Sequence, residues 1–455
     1  MAEDLLPLLG VQVDGGNSYD SEEEDVAPAP APEDAAPNMP NITFDPNLPG
    51  AHSYLGNDLE DLRGRTIHDD ESLISIPILT LPNVVLMPGQ TLPLHLFQSN
   101  YVSMIRNVAN NDHTFGFITS VIHETRYDLG SIGTTAEIFS MKEEVDDGTG
   151  ITTVRVKAKG RQRFRIVETR PQSDGILLAK VRIMPEKELS DPLEGAHPPS
   201  YQKIICRKTA TDPFDPLQLE SGDPGVILKQ FVAQNNRRKF NRFKSAYMTW
   251  WPPWVYKQYD AIELMRAVKQ ELHSWNDTLK PESMPRDPTD FSFWVAGNLP
   301  LDDNMKLHLL RIDCAVQRLR CELSIMKKCA VVRCRECDQI MASKQDVFSM
   351  SREGPMGAFV NPGGYVHEMM TVIKAKGIRE IGRSSAENSW FPGYKWTIVE
   401  CKNCHIHMGW KFTATKSKLK PNKFWGLCRS SLTPGLDDEG EEEFRHPESE
   451  TIHLY

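Results

Sequence analysis

Two cysteine pairs, Cys334-Arg-Glu-Cys337 and Cys401-Lys-Asn-Cys404, are the residues of this chain whose types and spacing most plainly carry chemistry. A structural Zn²⁺ takes four thiolates in a tetrahedron and leaves no position open for water. The pattern therefore points to one structural Zn²⁺ on Cys334, Cys337, Cys401 and Cys404. The 63 residues between the pairs exceed what a small finger spans, so two tight turns of a β-structure must meet in space. Redox use of a C-x-x-C pair needs a helix start to stabilise the thiolate, and neither pair opens a helix. Zn²⁺ at such a site is worth on the order of 10 kcal/mol or more, so its domain depends on the metal to fold. Around the second pair stand Trp390, Trp396, Trp410 and Phe412. Strand alternation in Gly409-Trp-Lys-Phe412 sends Trp410 and Phe412 to the same face. A hydrophobic core explains any one of these rings. Three indoles this close, beside a Pro-Gly turn, indicate a partly open aromatic box. Such a box takes a cation such as methyl-lysine or a neutral ring with polar edges.

The rest of the chain must position these groups. Its 455 residues, 40% of them hydrophobic, suffice for two or three domains. No apolar run approaches the roughly 18 residues of a membrane span, and the first residues lack the basic flank of a secretory signal. Nine cysteines are an odd set, and Cys206, Cys314, Cys321, Cys329 and Cys428 lie scattered. That usage fits a reducing compartment, cytosol or nucleus. The net charge of -10 is unevenly spread: residues 1–72 hold 17 acidic and 2 basic residues, and residues 437–455 hold 8 and 1. The remainder is mildly basic. Residues 1–72, with Ala27-Pro-Ala-Pro-Ala-Pro and few aromatics, read as a disordered acidic tail, and residues 437–455 as a second acidic tail.

The expected fold class is α+β and multidomain. Short β-type runs punctuated by proline and glycine occupy residues 73–190: Ile74 to Leu79, Val84 to Leu86, Leu92 to Phe97, Phe115 to Val121, Ile132 to Phe139, Ile151 to Val156, Phe164 to Glu168 and Ile176 to Ile183. Tyr101 to Ala109 reads as one helix among them. Residues 191–328 read as a helical bundle. Ala261, Met265, Val268, Leu272 and Trp275 recur at helical spacing, and Leu301 to Lys328 carries a long pattern capped by Asp302 or Asp303. Glu186 to Asp223 is proline-rich and reads as a loop. Residues 329–436 return to a β pattern.

Family resemblance enters on longer motifs. The line from Ile78 to Leu94 and Val156-Lys-Ala-Lys-Gly-Arg-Gln-Arg-Phe-Arg-Ile166 resemble strands of the Lon protease N-terminal domain. That resemblance implies a substrate-recognition β-fold followed by helices, over roughly residues 74–328. The chain has no G-x-x-x-x-G-K-[ST] loop and no protease domain, so the fold is expected without Lon activity. Ser389-Trp-Phe-Pro-Gly-Tyr394, Trp410-Lys-Phe-Thr-Ala-Thr-Lys416, Phe359-Val-Asn-Pro-Gly-Gly-Tyr-Val-His-Glu368 and Gly64-Arg-Thr-Ile-His-Asp-Asp70 are similar to the cereblon family. The resemblance implies an all-β zinc-binding β-tent (CULT) domain over 329–436. It also implies a receptor role, without catalysis, in a cullin four–RING ubiquitin ligase. The implied ligands are thalidomide-type glutarimides and C-terminal cyclic imides on proteins. The implied partner of the helical part is the DNA-damage-binding adaptor subunit. Carried over residue by residue, Trp390, Trp396 and Trp410 would wall the imide with Phe412 at the base. Position 388 and the Trp390 backbone would supply hydrogen bonds, and Asn361 would line the rim. This chain has Asn388 where the family commonly has histidine, and an amide still donates. Ile398, beside the pocket, is a position where members vary.

Two further motifs have plainer explanations. Asn236 to Trp254 interleaves bases with Trp250, Trp251 and Trp254. Nucleic acid binding is one reading, but a basic-faced helix with core aromatics or interface anchors explains it better, and no nucleic acid partner is expected. Phe424-Trp-Gly-Leu-Cys428 loosely resembles the nucleophile line of methionine sulfoxide reductase B, although an incidental buried thiol accounts for Cys428.

Overall fold

The alternating apolar residues between Leu73 and Ile183 close into a barrel. The computed structural model describes residues 42–64, 66–123, 126–129, 131–145, 150–190, 251–279 and 283–436. The first sheet contains β1 (Glu60–Asp61), β2 (Leu73–Pro82), β3 (Thr91–Leu96), β4 (Thr114–His123), β5 (Arg126–Leu129), β6 (Ile132–Val145), β7 (Thr152–Pro171) and β8 (Leu177–Ile183). Its order is β1-β6-β4-β2-β8-β7-β3, and a further β6–β7 pairing joins the path back on itself. β6, β4, β2, β8 and β7 thus form a ring, which removes the exposed edges of those strands. Inside lie Ile76, Ile78, Ile118, Phe164, Val181 and Ile183. Phe164 fits because residues 116 and 133 are glycines. An added Cβ would stand 3.1 Å from its ring at Gly116 and 2.5 Å at Gly133.

Most expected strands are present, with two differences. Val84 to Leu86 is a buried loop, whose carbonyls at Val84 and Leu86 accept from the Thr119 and Thr134 hydroxyls. The runs at 151–156 and 164–168 belong to one strand, Thr152–Pro171, because its register against β6 and β8 shifts at irregularities and continues.

Helices follow: α1 (Leu48–Ala51), α2 (Ser99–Ala109), α3 (Pro253–Lys257), α4 (Ala261–Trp275), α5 (Pro288–Asn298), α6 (Asp303–Arg311) and α7 (Ala315–Lys328). Val268, Leu272, Phe291, Leu309, Leu319 and Met326 meet in their shared core. Asp302 caps α6 through the Met305 N–H. The single pattern expected over Leu301 to Lys328 is two helices. The carbonyls released at the break are captured by buried guanidinia: Arg163 Nη1 donates to Leu310 O and Ile312 O, and Arg318 Nη1 to Ile312 O. Glu186 lies in the irregular segment expected there, and its carboxylate pairs both arginines. The region 191–250, with most of the basic-aromatic stretch, lies outside the described residues. Trp251 and Trp254 at its end are exposed.

Disorder across residues 1–72 is corrected from residue 42 onward. Phe44, His52 and Leu55 are buried. The Thr43 and Phe44 N–H groups donate to Lys420 O, and the Arg352 N–H to Pro46 O. Phe44 supplies an aromatic surface that the C-terminal domain covers, packing against Phe391 and Tyr394. Residues 1–41 and 437–455 lie outside the described residues.

The C-terminal part is all-β. β9 (Cys329–Cys334), β10 (Ile340–Ser343) and β17 (Leu432–Leu436) form a three-stranded sheet in the order β10-β9-β17. β11 (Met356–Val360), β12 (Val366–Val372), β13 (Ile378–Ser385), β14 (Tyr394–Cys401), β15 (His407–Ala414) and β16 (Lys423–Cys428) form a six-stranded antiparallel sheet in the order β11-β12-β16-β15-β14-β13. One buried ion cluster ties this part to the others. Glu368 of β12 accepts from Lys306 Nζ of α6 at 2.7 Å and from Arg429 Nε at 2.7 Å. Arg429 also donates to Leu301 O, to Asp303 and to Asn83 O of the barrel.

Breaking a buried ion pair from one side leaves an uncompensated charge, at a cost of about 3–5 kcal/mol. Glu368→Gln is therefore expected to lower unfolding stability by about that much in denaturant titration. A loss below about 1 kcal/mol would show that the cluster does not hold the parts together. Glu322 of α7 gives a second expectation. It is fully buried, and among the described residues neither carboxylate oxygen has a hydrogen-bond partner. Burial raises its carboxyl well above the ordinary range, against the pull of Arg318. A carboxyl raised in the folded state stabilises below the unfolded value and loses that contribution as pH rises. Glu322→Gln should flatten the decline in stability between about pH 5 and pH 8, measured by urea unfolding at each pH.

Candidate metal centre and aromatic pocket

The two C-x-x-C pairs fold as a matched set of turns. In the first, the Asp338 N–H donates to Cys334 O at 3.0 Å and the Cys334 N–H to Gln339 O at 2.8 Å. In the second, the His405 N–H donates to Cys401 O at 3.0 Å and the Cys401 N–H to Ile406 O at 2.9 Å. Each turn closes through a residue of positive φ, Asp338 at 57° and His405 at 64°. Aspartate visits that region more readily than β-branched residues. The first turn leaves β9 and the second leaves β14, so the two sheets bring the pairs together.

All four Sγ atoms lie within 4.8 Å of one another, with Cys334–Cys404 and Cys337–Cys401 at 3.5 Å. A tetrahedron with Zn–S bonds of about 2.3 Å has edges of about 3.8 Å, so the sulfurs fit the ion. Cys334 and Cys401 are buried, whereas Cys337 and Cys404 are partly exposed. The backbone at Gln339 lowers the Cys337 thiol, while burial raises that of Cys334. Binding of one structural Zn²⁺ replaces the thiol protons and equalises the four as thiolates.

The aromatic residues gather at the other end of the six-stranded sheet. Trp396 of β14 pairs with Phe412 of β15, and Ile398 with Trp410, so all four side chains share a face. Trp390 precedes β14, and its ring meets Trp410 edge-on at 4.7 Å. The Trp390 Nε1–H donates to Val360 O at 3.0 Å, and its face stacks on Phe359 at 5.3 Å. The Trp396 Nε1–H donates to Glu387 O at 2.8 Å, which ties that indole to the turn holding Asn388. Asn388 is exposed with φ 51°, a conformation asparagine tolerates. Asn361 closes the β11–β12 turn, its Oδ1 accepting from the Tyr365 N–H at 2.9 Å. Phe412 is buried between Phe391 and Phe424, at 4.8 and 4.9 Å.

Three neighbours were missing from the site as read in the sequence. His367 and His407 stand edge-on to Trp410 at 5.0 and 4.8 Å. Burial lowers both imidazoles, His367 to about 4. Phe359 backs Trp390. His367 and Phe359 lay within a quoted motif, but only the β11–β12 register, which sets them opposite each other, marks them as neighbours. Cys428 is buried, and burial pushes its thiol up to about 12.

Comparison with known proteins agrees with this architecture. Residues 75–328 match the family model described as the ATP-dependent protease La (LON) substrate-binding domain. Residues 330–443 match the model described as Yippee zinc-binding/DNA-binding /Mis18, centromere assembly. The chain is 46% identical to protein cereblon of Gallus gallus over 92% of this chain and 90% of that protein. It is 44% identical to protein cereblon of Xenopus tropicalis, over 98% of this chain and 96% of that one. Protein cereblon of Danio rerio is 47% identical, over 88% and 90%.

One Zn²⁺ per chain with four sulfur ligands is expected from elemental analysis and X-ray absorption; a nitrogen or oxygen bound to the metal would sink the all-thiolate site. Cys401→Ser should release the metal. It should unfold residues 329–436 while the barrel keeps its hydrogen-exchange protection, since such sites contribute on the order of 10 kcal/mol.

Proposed function

The chain belongs to the cereblon family, and on that premise we propose that it is a substrate receptor of a cullin four–RING ubiquitin ligase. In this reading the chain catalyses nothing itself. Its aromatic pocket binds C-terminal cyclic imides on proteins, and glutarimide drugs of the thalidomide type. The helical part docks on the DNA-damage-binding adaptor, and bound proteins are presented for ubiquitination and proteasomal degradation. Its working compartments are cytoplasm and nucleus.

The observation that carries the reading is that Trp396 and Trp410 share one sheet face and the Trp390 ring meets Trp410 edge-on. Flat apolar walls suit a small ring and exclude water from its polar edge. Asn361, Asn388 and the two imidazoles offer neutral polar groups around them. That favours a neutral imide over a methylated cation, because a cation-binding cage gains from nearby negative charge and the ring neighbours of Trp410 are histidines. A sulfoxide reductase needs an accessible thiolate, and the Cys428 thiol is buried and raised.

Trp396→Ala and Trp410→Ala should each abolish calorimetric binding of glutarimide to the full chain while zinc content stays at one. Loss of an aromatic anchor costs about 2–4 kcal/mol. N-methylglutarimide, which lacks the donor, should not bind. Equal binding of the N-methyl form, or preference for trimethyl-lysine, would overturn the imide reading.

A further inference from the structure

The segment from Ile42 to Gly56 runs as a strap between the barrel and the C-terminal domain. On the barrel side, Lys157 Nζ donates to Ala51 O at 2.7 Å and Arg155 Nη1 to Leu55 O at 2.5 Å. On the other side, Thr43 and Phe44 bond Lys420 O, and the Val360 N–H donates to the Tyr54 hydroxyl at 3.3 Å. His52 sits at the middle of the strap with φ 48° and 3% exposure. Its Nδ1 lies 2.9 Å from the Tyr54 hydroxyl, and its ring meets Phe359 edge-on at 5.9 Å. Its Nε2 is buried and has no hydrogen-bond partner among the described residues. The ring helps line a cavity of about 10 Å³ with Pro49, Met350, Glu353 and Phe359. That volume is at the lower limit for a single water.

We propose that His52 makes the docking of this strap proton-linked: the strap seats with a neutral imidazole and is released as the ring takes up a proton. A protonated ring must donate from both nitrogens, and among the described residues Nε2 has no acceptor to meet. The charged groups facing it do not compensate. Lys157 of β7 repels a cation. Glu353 is itself buried with its carboxyl raised, and its Oε1 already accepts from the Thr91 hydroxyl at 3.2 Å. Tyr54, bonded to the ring, is buried and stays neutral, because burial raises its phenol. Burial first, and Lys157 second, push the imidazole down to about 3.

The sign follows. A histidine depressed in the docked state contributes its full stability above the free value of about 6.5 and loses it as pH falls toward the docked value. Between pH 7.5 and 5.5 the released fraction should rise about tenfold. The effect reaches the aromatic pocket along a short path, because Tyr54 bonds Val360 N–H and Val360 O holds the Trp390 indole.

Hydrogen exchange on the full chain, corrected for intrinsic rates, reads this directly in peptides spanning residues 42–56, with β12 as internal reference. Protection of the strap should fall about tenfold from pH 7.5 to 5.5 while β12 is unchanged. In His52→Gln the strap should keep a pH-independent protection. Strap protection that does not change with pH in the unmodified chain, or the same pH dependence in His52→Gln, would overturn the proposal. If His52→Gln fails to dock its strap at any pH, the titration of ¹³C-labelled His52 in the unmodified chain decides. A value below about 5 supports the linkage, and one near 6.5 refutes it.

Discussion

Glu368 carries a charge that water cannot reach, and three parts of the chain meet on it. Lys306 comes from α6, Arg429 from the short turn after β16, and the Val85 N–H of the barrel lies 3.4 Å from its Oε2. Burial by itself would raise the Glu368 carboxyl. Arg429 and Lys306 outweigh that and hold it below the ordinary range. Each ion is tolerable only while the others are present, since removing one strands the rest in a poor solvent. The arrangement of barrel, helices and C-terminal sheets therefore rests on a contact that cannot be partly made. Arg429 extends it by spending its remaining donors on Leu301 O, Asn83 O and Asp303.

A second set of buried charges supports the helices in the same way. Arg163 of the barrel and Arg318 of α7 share Glu186, and both donate to carbonyls at the end of α6. Arg318 also lies 3.7 Å from the Phe293 ring centroid. The break between α6 and α7 is thus satisfied by side chains instead of by continued helix. No helix among the described residues is long and apolar enough to cross a membrane.

The second cysteine turn and the face that carries Trp396 and Trp410 belong to the same β14–β15 hairpin. Cys401 ends β14 five residues after Trp396, and His407 opens β15 three residues before Trp410. Clamping that hairpin at the metal end restrains the register on which the shared face of Trp396, Ile398, Trp410 and Phe412 depends. From the opposite side Phe44 packs on Phe391, and Tyr54 bonds the strand that holds Trp390. The aromatic face is framed by the metal-binding turn and by a segment more than 300 residues distant in sequence.

Much of this protein was legible in local spacing. The C-x-x-C pairs named four ligands, because a turn of that length places two thiols on one ion. Alternation put Trp410 and Phe412 on one face, because the strand period is two. Helical spacing located α4 and narrowed the α6 cap to Asp302 or Asp303. What stayed hidden was decided between distant residues. No periodicity says that Glu368 will meet Lys306 and Arg429, that Glu186 will pair two arginines from within a loop, or that α6 and α7 will part at Ile312. Residues 42–56 carry too little apolar surface to order themselves, and acquire it only from the domain they lie on. The sequence by itself determined which groups could bind a metal and line a pocket, since those demands are set by residue type and short-range geometry. Tertiary structure decided which charges are buried together and what stands behind each ring, since burial is a property of the whole packed chain.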